Sequence, residues 1–106
     1  MKVCVIRTGG LISIEELSND DQHQLSEIQN IIGGYMEPLF FPGERLLLLV
    51  NEEGKLQGLP YNCSVLNNDV LIQLVGNIIL VGQNGLDFCS ITEDEAFSFI
   101  NKYFRF

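Results

Sequence analysis

With 106 residues, the chain has room for one modest hydrophobic core, and its apolar content of 46% is that of a globular protein. Fourteen acidic against six basic side chains give a net charge of −8, which opposes binding to nucleic-acid phosphates and to anionic lipid, because both depend on Lys and Arg. No apolar run approaches the roughly 20 residues of a membrane-spanning helix, and the first residues lack a signal-peptide pattern, so we expect a cytoplasmic protein.

The N-terminal segment predicts two extended elements. Residues 2–6 form a short apolar run of strand type, and Thr8, Gly9 and Gly10 are typical of a turn. Apolar and polar residues then alternate over residues 11–17, which predicts a second strand or an extended arm.

A first helix is predicted over about residues 21–33. Capping side chains and carboxylates precede it at residues 18–21, where they suit the positive end of the helix dipole. Leu25, Ile28 and Ile32 follow at helical spacing, and Gly33 with Gly34 predicts the C-terminal end, because glycine enters the left-handed conformation without strain.

The middle of the chain predicts a strand at residues 35–41 and then a β-hairpin. Leu46–Val50 is an uninterrupted apolar run, which is typical of a strand covered on both faces. Asn51–Gly54 fits a type I turn with a positive φ at Gly54, and Lys55–Leu59 alternates as a partner strand would.

The last third predicts further strands and a second helix. Ile78–Val81 is a clear strand pattern, whereas Val70–Val75 fits a strand, a short helix or a bend. Thr92 with Glu95 three residues later predicts a capping box at the start of the final helix. Its apolar stripe is predicted to consist of Phe97, Ile100 and Phe104.

Together these elements predict a single α+β domain spanning residues 1–106. Its sheet is expected to be mixed but mainly antiparallel, with about five strands, and to carry both amphipathic helices on one face.

The three cysteines and the lone His23 argue against several chemistries. An odd number of cysteines disfavours a disulfide framework, and Cys4, Cys63 and Cys89 lack the close spacing of a zinc motif. A cysteine nucleophile would depend on His23, which lies in a polar helix start. We therefore predict a protein that is not an enzyme and has no metal and no cofactor.

Four blocks of sequence carry a resemblance that covers most of the chain: residues 28–39 (IQNIIGGYMEPL), 49–62 (LVNEEGKLQGLPYN), 75–82 (VGNIILVG) and 90–95 (SITEDE). They resemble a family of short uncharacterised proteins found in phages, prophages and conjugative elements of bacteria. The resemblance implies a bacterial host cell and a mobile-element context, where small acidic proteins often antagonise host defence.

Within these blocks, several polar and aromatic side chains go beyond what folding obviously needs. The candidate ligand- or partner-binding residues are Tyr35, Glu37, Asn51, Glu52, Glu53, Tyr61, Asn62 and Asn77. Asn51 also has an explanation as the first residue of a turn. Tyr35 and Glu37 share a face of their strand, and if that face meets Asn62 they form a small polar pocket. We expect any site to lie beside Pro60–Asn62.

Two functions from different classes follow. The first is an interaction module that binds and antagonises a host protein of unknown identity, such as a component of a defence system, through an acidic surface. The second is a binder of a small ligand, such as a nucleotide signal, at Tyr35, Asn62 and Asn77. A shortage of cations weakens it, since Arg7, Arg45 and Lys55 are the only basic residues expected near such a pocket. A purely structural, oligomeric role is also open. An apolar excess predicts a homodimer: Phe40 and Phe41 are adjacent in a strand, and Phe104 and Phe106 crowd the chain end.

Overall fold

The computed structural model describes residues 1–106 and has an α+β fold, as the sequence predicts. In chain order the elements are β1 Lys2–Arg7, β2 Leu11–Glu16, α1 Asp21–Ile32, β3 Met36–Phe40, β4 Leu46–Asn51, β5 Tyr61–Asn67, β6 Val70–Val75, β7 Ile78–Asn84, β8 Asp87–Cys89, α2 Glu93–Tyr103 and β9 Phe104–Arg105. The main sheet has the order β2-β1-β7-β4-β3, with β8 also paired to β7, and a second sheet has the order β6-β5-β9. Every strand pair is antiparallel.

Strand β4 is covered on both faces, which confirms the prediction from its uninterrupted apolar run. Leu46 and Leu48 belong to one buried cluster, and Leu47 and Leu49 belong to another. Successive side chains of a strand point to opposite faces, so a strand between two packed layers must be apolar at every position. The main sheet therefore forms the middle layer of the fold.

The two helices lie on opposite faces of that sheet, so the prediction that both share one face is wrong. Ile28 and Ile32 of α1 pack with Leu47 and Leu49. Ala96 and Phe99 of α2 belong to the other cluster, together with the second sheet. Because the central strands are apolar on both faces, both faces need a cover, and each helix supplies part of one. Neither helix combines the length and apolar content needed to cross a bilayer.

The predicted hairpin over Leu46–Leu59 does not form. Strand β4 pairs with β3 and β7, and residues 52–58 make consecutive turns with no partner strand among them. The backbone N–H of Gln57 donates to the carbonyl of Glu53 (2.9 Å), and that of Leu59 donates to Gly54 (3.0 Å). The positive φ also falls at Gly58 (67°) instead of Gly54. Since β4 already has a neighbour on each side, no edge remains for a hairpin partner.

Strand β6 resolves the open prediction for Val70–Val75 in favour of a strand. Asn68 and Asp69 both have a positive φ (52° and 64°), which is the signature of a two-residue type I′ turn that joins β5 to β6. Strand β5 (Tyr61–Asn67) was not predicted, and neither were β8 and β9, whose two or three residues are too few for a periodic pattern.

Helix α2 begins as predicted, and its buried stripe agrees with the prediction at two of three residues. Thr92 Oγ1 accepts from the N–H of Glu95 (3.1 Å), and Glu95 Oε1 accepts from the N–H of Thr92 (3.0 Å), which is a complete capping box. The buried positions are Ala96, Phe99 and Ile100, and Phe97 is 46% exposed. Ile100 and Phe104 of the predicted stripe are buried, so the prediction is wrong only at Phe97, whose place on the buried face is taken by Ala96 and Phe99.

Candidate functional site

Two asparagine side chains cap the C-terminal end of α1. Asn51 Nδ2 donates to the carbonyl of Ile32 (3.1 Å), and Asn77 Nδ2 donates to the carbonyl of Ile31 (3.0 Å). The last carbonyls of a helix have no partner within it, so these amides satisfy groups that would otherwise need water. Gly33 ends the helix in the left-handed conformation, with φ of 81°. Two segments far apart in sequence thus meet at this helix end.

Asn62 and Asn77 join the same region to the start of the chain. Asn62 Nδ2 donates to the carbonyls of Ile6 (2.9 Å) and Gly76 (2.8 Å), and Asn77 Oδ1 accepts from the N–H of Thr8 (3.1 Å). The side-chain oxygen of Asn62 is buried without a hydrogen-bond partner. Both amide groups therefore brace the backbone, and Asn62 has the structural explanation that its sequence context left open.

Asn51 also organises the loop that follows β4. Its Oδ1 accepts from the N–H of Glu53 (2.9 Å), which closes an Asx turn and confirms the structural explanation for this residue. Its Nδ2 also reaches the side-chain oxygen of Gln57 (3.1 Å). A Cβ at Gly34 would lie 2.9 Å from the same nitrogen, so glycine is needed for this close approach.

A cleft of about 240 Å³ lies between strands β3 and β4, the turns that follow β4, and strand β6. Of the predicted site residues it is lined by Glu37, Asn51, Glu52 and Glu53. Apolar side chains make up about half of its wall: Leu39, Val50, Leu56, Ile72, Leu74 and Val75. The cleft thus combines an apolar floor with carboxylates.

The carboxylates of this cleft have no cationic partner within the chain. Glu37, Glu52 and Glu53 are exposed and make no ion pair, and Lys55 is the one basic residue in the lining. Other acidic side chains are neutralised locally. They include Glu15 beside Arg7, Glu44 beside Lys102 and Glu95 beside Arg45.

Hydrogen bonds to those neutralised carboxylates lower their pKa. The guanidinium of Arg7 lowers the pKa of Glu15, and the guanidinium of Arg45 lowers that of Glu95. The hydroxyl of Tyr103 (2.6 Å) and then the ammonium of Lys102 (3.0 Å) lower the pKa of Glu44. Folding therefore neutralises some of the acidic charge and leaves the cleft carboxylates free.

The remaining predicted residues do not join the cleft. Tyr35 is largely exposed and lines a shallow hollow of about 170 Å³ with Asn51, Glu52 and Glu53. Tyr61 shares a hydrogen bond with Ser64 (2.8 Å), and Asn62 lines neither concavity. The predicted pocket between Tyr35, Glu37 and Asn62 is therefore wrong, because β5 enters the second sheet and turns Asn62 toward β1. The nucleotide-binding alternative was placed at Tyr35, Asn62 and Asn77, and neither Asn62 nor Asn77 lines the cleft or the hollow that contains Tyr35.

Sequence reasoning missed the β6 wall of the cleft. Residues Ile72–Val75 all line it, although Val70–Val75 carried no polar motif. A signal was present in Leu56, an apolar residue within a polar turn that is 88% exposed in the structure. A strand without any charge, beside a turn bearing such a residue, indicates surface that the chain does not bury by itself.

A larger groove of about 610 Å³ lies on the other side of the molecule, between α1 and β8. Leu25, Met36, Leu86 and Phe88 line it, and Leu86 is 99% exposed at the β7–β8 turn. None of the predicted site residues contributes to this groove.

The thiols and the histidine are placed away from the cleft. Cys4 and Cys63 are fully buried, and burial raises the pKa of each to about 11. Cys89 is partly exposed, and its Sγ accepts from the guanidinium of Arg45 (3.0 Å). His23 Nδ1 lies 3.0 Å from Asp20 Oδ2 on the exposed start of α1. No group of three or more His, Cys, Asp or Glu side chains is arranged to hold a metal ion.

The chain belongs to the family described as Domain of unknown function (DUF3846), whose model matches residues 1–105. No curated protein and no solved structure matches the chain. The family match covers all four blocks of the resemblance, and three of these blocks contribute residues to the helix end and the cleft described above.

Proposed function

We propose that this member of the DUF3846 family is a non-catalytic protein-binding module that engages a basic partner protein through the acidic cleft. One observation carries the proposal: the carboxylates of Glu37, Glu52 and Glu53 are exposed, line one cleft and make no ion pair, whereas three other glutamates of the chain pair with cations. Carboxylates left free on one surface attract a basic partner and orient it during encounter.

The chemistry of the other polar groups supports binding over catalysis. Two of the three thiols are buried with a pKa of about 11, so they are protonated at neutral pH and are poor nucleophiles. The conspicuous amides of Asn51, Asn62 and Asn77 hold backbone groups in place. The exposed carboxylates of Glu37, Glu52 and Glu53 make no ion pair and accept no hydrogen bond within the fold.

The partner that we propose is a protein of a bacterial host. The resemblance to proteins of phages and conjugative elements supports a host factor, such as a component of a defence system, whose nucleic-acid-binding surface is basic. Occupation of such a surface by an acidic protein would block access of nucleic acid, because both compete for the same Lys and Arg side chains.

Capture from a host extract by the immobilised protein at increasing salt tests this function. We compare the wild type with two double charge reversals, Glu52→Lys/Glu53→Lys at the cleft and Glu93→Lys/Asp94→Lys at the start of α2. Both pairs are adjacent and exposed, and each double reversal changes the net charge by four, from −8 to −4.

We expect the wild type and the α2 variant to capture the same basic protein and to release it as salt rises. The cleft variant should bind this protein, once purified, at least about tenfold more weakly, which is about 1.4 kcal/mol. Equal affinity of the two variants, or capture that salt does not weaken, would show that the acidic cleft is not the binding surface.

A further inference from the structure

We propose that the cleft binds its partner by strand addition: an extended basic segment of the partner pairs with the free edge of β6. This inference rests on the proposed function and specifies the mode of recognition. Strand β6 lies at the edge of the second sheet, where it pairs with β5 alone. An unpaired strand edge presents a row of backbone donors and acceptors that another chain can use.

The turn between β5 and β6 determines which groups of β6 are free. In a two-residue hairpin, the N–H of Val70 bonds to the carbonyl of Asn67 across the turn. Hydrogen bonding alternates along an antiparallel ladder, so Ile72 also faces β5, and Leu71 and Gln73 direct their N–H and C=O groups outward. No backbone or side-chain group of the chain hydrogen-bonds to either outward residue from the free side.

Beside the free edge of β6, partly buried apolar side chains form a floor on which an added strand would lie. Strand β6 contacts β4 across the core, and the cleft opens between β6 and the face of β3 that bears Glu37 and Leu39. Leu39, Val50 and Ile72 are only partly buried although they pack against the core. A strand added to β6 would lie over these side chains and bury them.

Charge selects a basic occupant. Glu37, Glu52 and Glu53 line the cleft, and Lys55 is the one basic residue in the lining. Strand β6 itself carries no charged residue. A second copy of this chain would bring another net charge of −8 to the same surface. An extended segment with apolar residues at alternate positions and Lys or Arg between them covers the floor, and its positive charge is attracted by the acidic surface around the cleft.

A synthetic alternating Lys-Val octapeptide is the probe, and an alternating Glu-Val octapeptide is its matched control. Titration is followed by the backbone amide signals of ¹⁵N-labelled protein. We expect saturable shifts and slowed hydrogen exchange at Leu71 and Gln73 with the Lys-Val peptide, and at least tenfold weaker binding of the Glu-Val peptide. Absence of saturable binding, or shifts that spare β6, would overturn strand addition.

Two methylated forms of the Lys-Val peptide test the backbone pairing on the wild-type protein. In an antiparallel added strand, residues opposite Gln73 carry their side chains on the outer face and direct their N–H groups toward β6. When the valine side chains lie on the apolar floor, the backbone N–H groups of the lysines therefore point toward β6. We expect methylation of the lysine nitrogens to weaken binding at least tenfold and methylation of the valine nitrogens to leave it nearly unchanged. Equal affinities of the two methylated peptides would refute pairing.

Substitution of Gln73 in the edge strand β6 provides an independent check of backbone pairing. Gln73→Pro removes an outward N–H without removing a bond to β5, and Gln73→Ala keeps the N–H. We expect the Pro variant to lose at least tenfold in affinity for the Lys-Val peptide and the Ala variant to bind as the wild type does. Should Gln73→Pro fail to fold, the methylated peptides decide the question.

Two further results separate the alternatives. Protection of the β6 amides that rises with protein concentration, without peptide, would make a second copy the occupant and overturn the proposal. If the Lys-Val peptide fails to bind while capture of a host protein still depends on Glu52 and Glu53, strand addition is wrong and the proposed function stands. If capture does not depend on them either, the proposed function fails as well.

Discussion

The side-chain amide of Asn51 donates a hydrogen bond to the carbonyl oxygen of Ile32 at 3.1 Å, across the junction between β4 and the C-terminal end of α1. The same amide holds Gln57, and its oxygen accepts from the N–H of Glu53. One buried side chain therefore sets the position of the helix end and of the turns that form the end of the cleft.

Replacement of Asn51 by alanine should destabilise the protein by about 1–3 kcal/mol, because a buried carbonyl and a turn N–H lose their partners. Asn67→Ala is the matched control, since Asn67 Nδ2 donates to the carbonyl of Phe40 (2.9 Å) at an exposed site where water replaces it. Urea unfolding of both variants provides the measurement. Comparable losses would contradict a special role for Asn51.

Gly54 is expected to be required for stability because a side chain at this position would clash with Val75, and not because of its backbone conformation. A Cβ at Gly54 would lie 2.9 Å from Val75 Cγ2, so Gly54→Ala should cost about 1–3 kcal/mol through overpacking. Val75→Ala in the same chain should recover part of this loss, with a coupling of at least about 1 kcal/mol in a double-mutant cycle.

Gly58 provides the contrast for that cycle. It has φ of 67°, and a Cβ at this position would meet no other atom within 4 Å. Gly58→Ala should therefore cost about 1–2 kcal/mol from left-handed strain alone. Val75→Ala should not change this cost. Rescue of Gly58→Ala by Val75→Ala, or its failure at Gly54, would contradict the steric explanation.

Phe99 lies on the buried face of α2, and Phe97 lies outside it. Phe99 is 4% exposed, and its ring centroid lies 4.9 Å from that of Phe41 and 4.7 Å from that of Tyr103. Phe99→Ala should therefore destabilise the protein by about 3–5 kcal/mol, and Phe97→Ala by less than about 1 kcal/mol. Thermal unfolding measures both, and a reversed order would restore the stripe that the sequence predicts.

Stability should decline in acid through the paired carboxylates. Hydrogen bonds from Tyr103 and then Lys102 lower the pKa of Glu44 below its ordinary value of 4.5. A lowered pKa in the folded state means that the contribution is fully present above about pH 4.5, and it is lost as the pH falls through the folded-state pKa.

Glu44→Gln should therefore weaken the decline in unfolding free energy between about pH 5 and pH 3, measured in urea. Glu52→Gln is the control, because the Glu52 side chain makes no ion pair and accepts no side-chain hydrogen bond. A slope that Glu44→Gln leaves unchanged would show that this carboxylate contributes nothing to acid sensitivity.

Local patterns predicted most of the elements, because their causes lie within a few residues. The capping box at Thr92 and the glycine end of α1 involve groups three or four positions apart, and the structure confirms both. The same local logic failed at Leu46–Leu59. A turn-forming string followed by alternation fits a hairpin, but pairing of β4 with β3 and β7 removed the edge that a hairpin needs.

At the candidate site, too, the sequence revealed individual residues but not the contacts between distant segments. Glu37, Glu52 and Glu53 were among the candidate residues, and the structure places them on one cleft, whereas the sequence expected any site beside Pro60–Asn62. The sequence left open whether Asn62 braces the backbone or contacts a ligand, because its partners Ile6 and Gly76 lie 56 and 14 positions away. Backbone carbonyls have no sequence signature, so a brace of this kind becomes visible only when distant segments have met.

The sequence alone determined the α+β class, both helices, the strands β1, β2, β3, β4 and β7 of the main sheet, and a central strand covered on both faces, since these follow from short-range periodicity and capping. The tertiary structure decided the placement of the two helices on opposite faces, the division of the strands between two sheets, and the cleft beside β6. Those features depend on which strand edges pair, and pairing between distant segments is set by the packing of the whole chain.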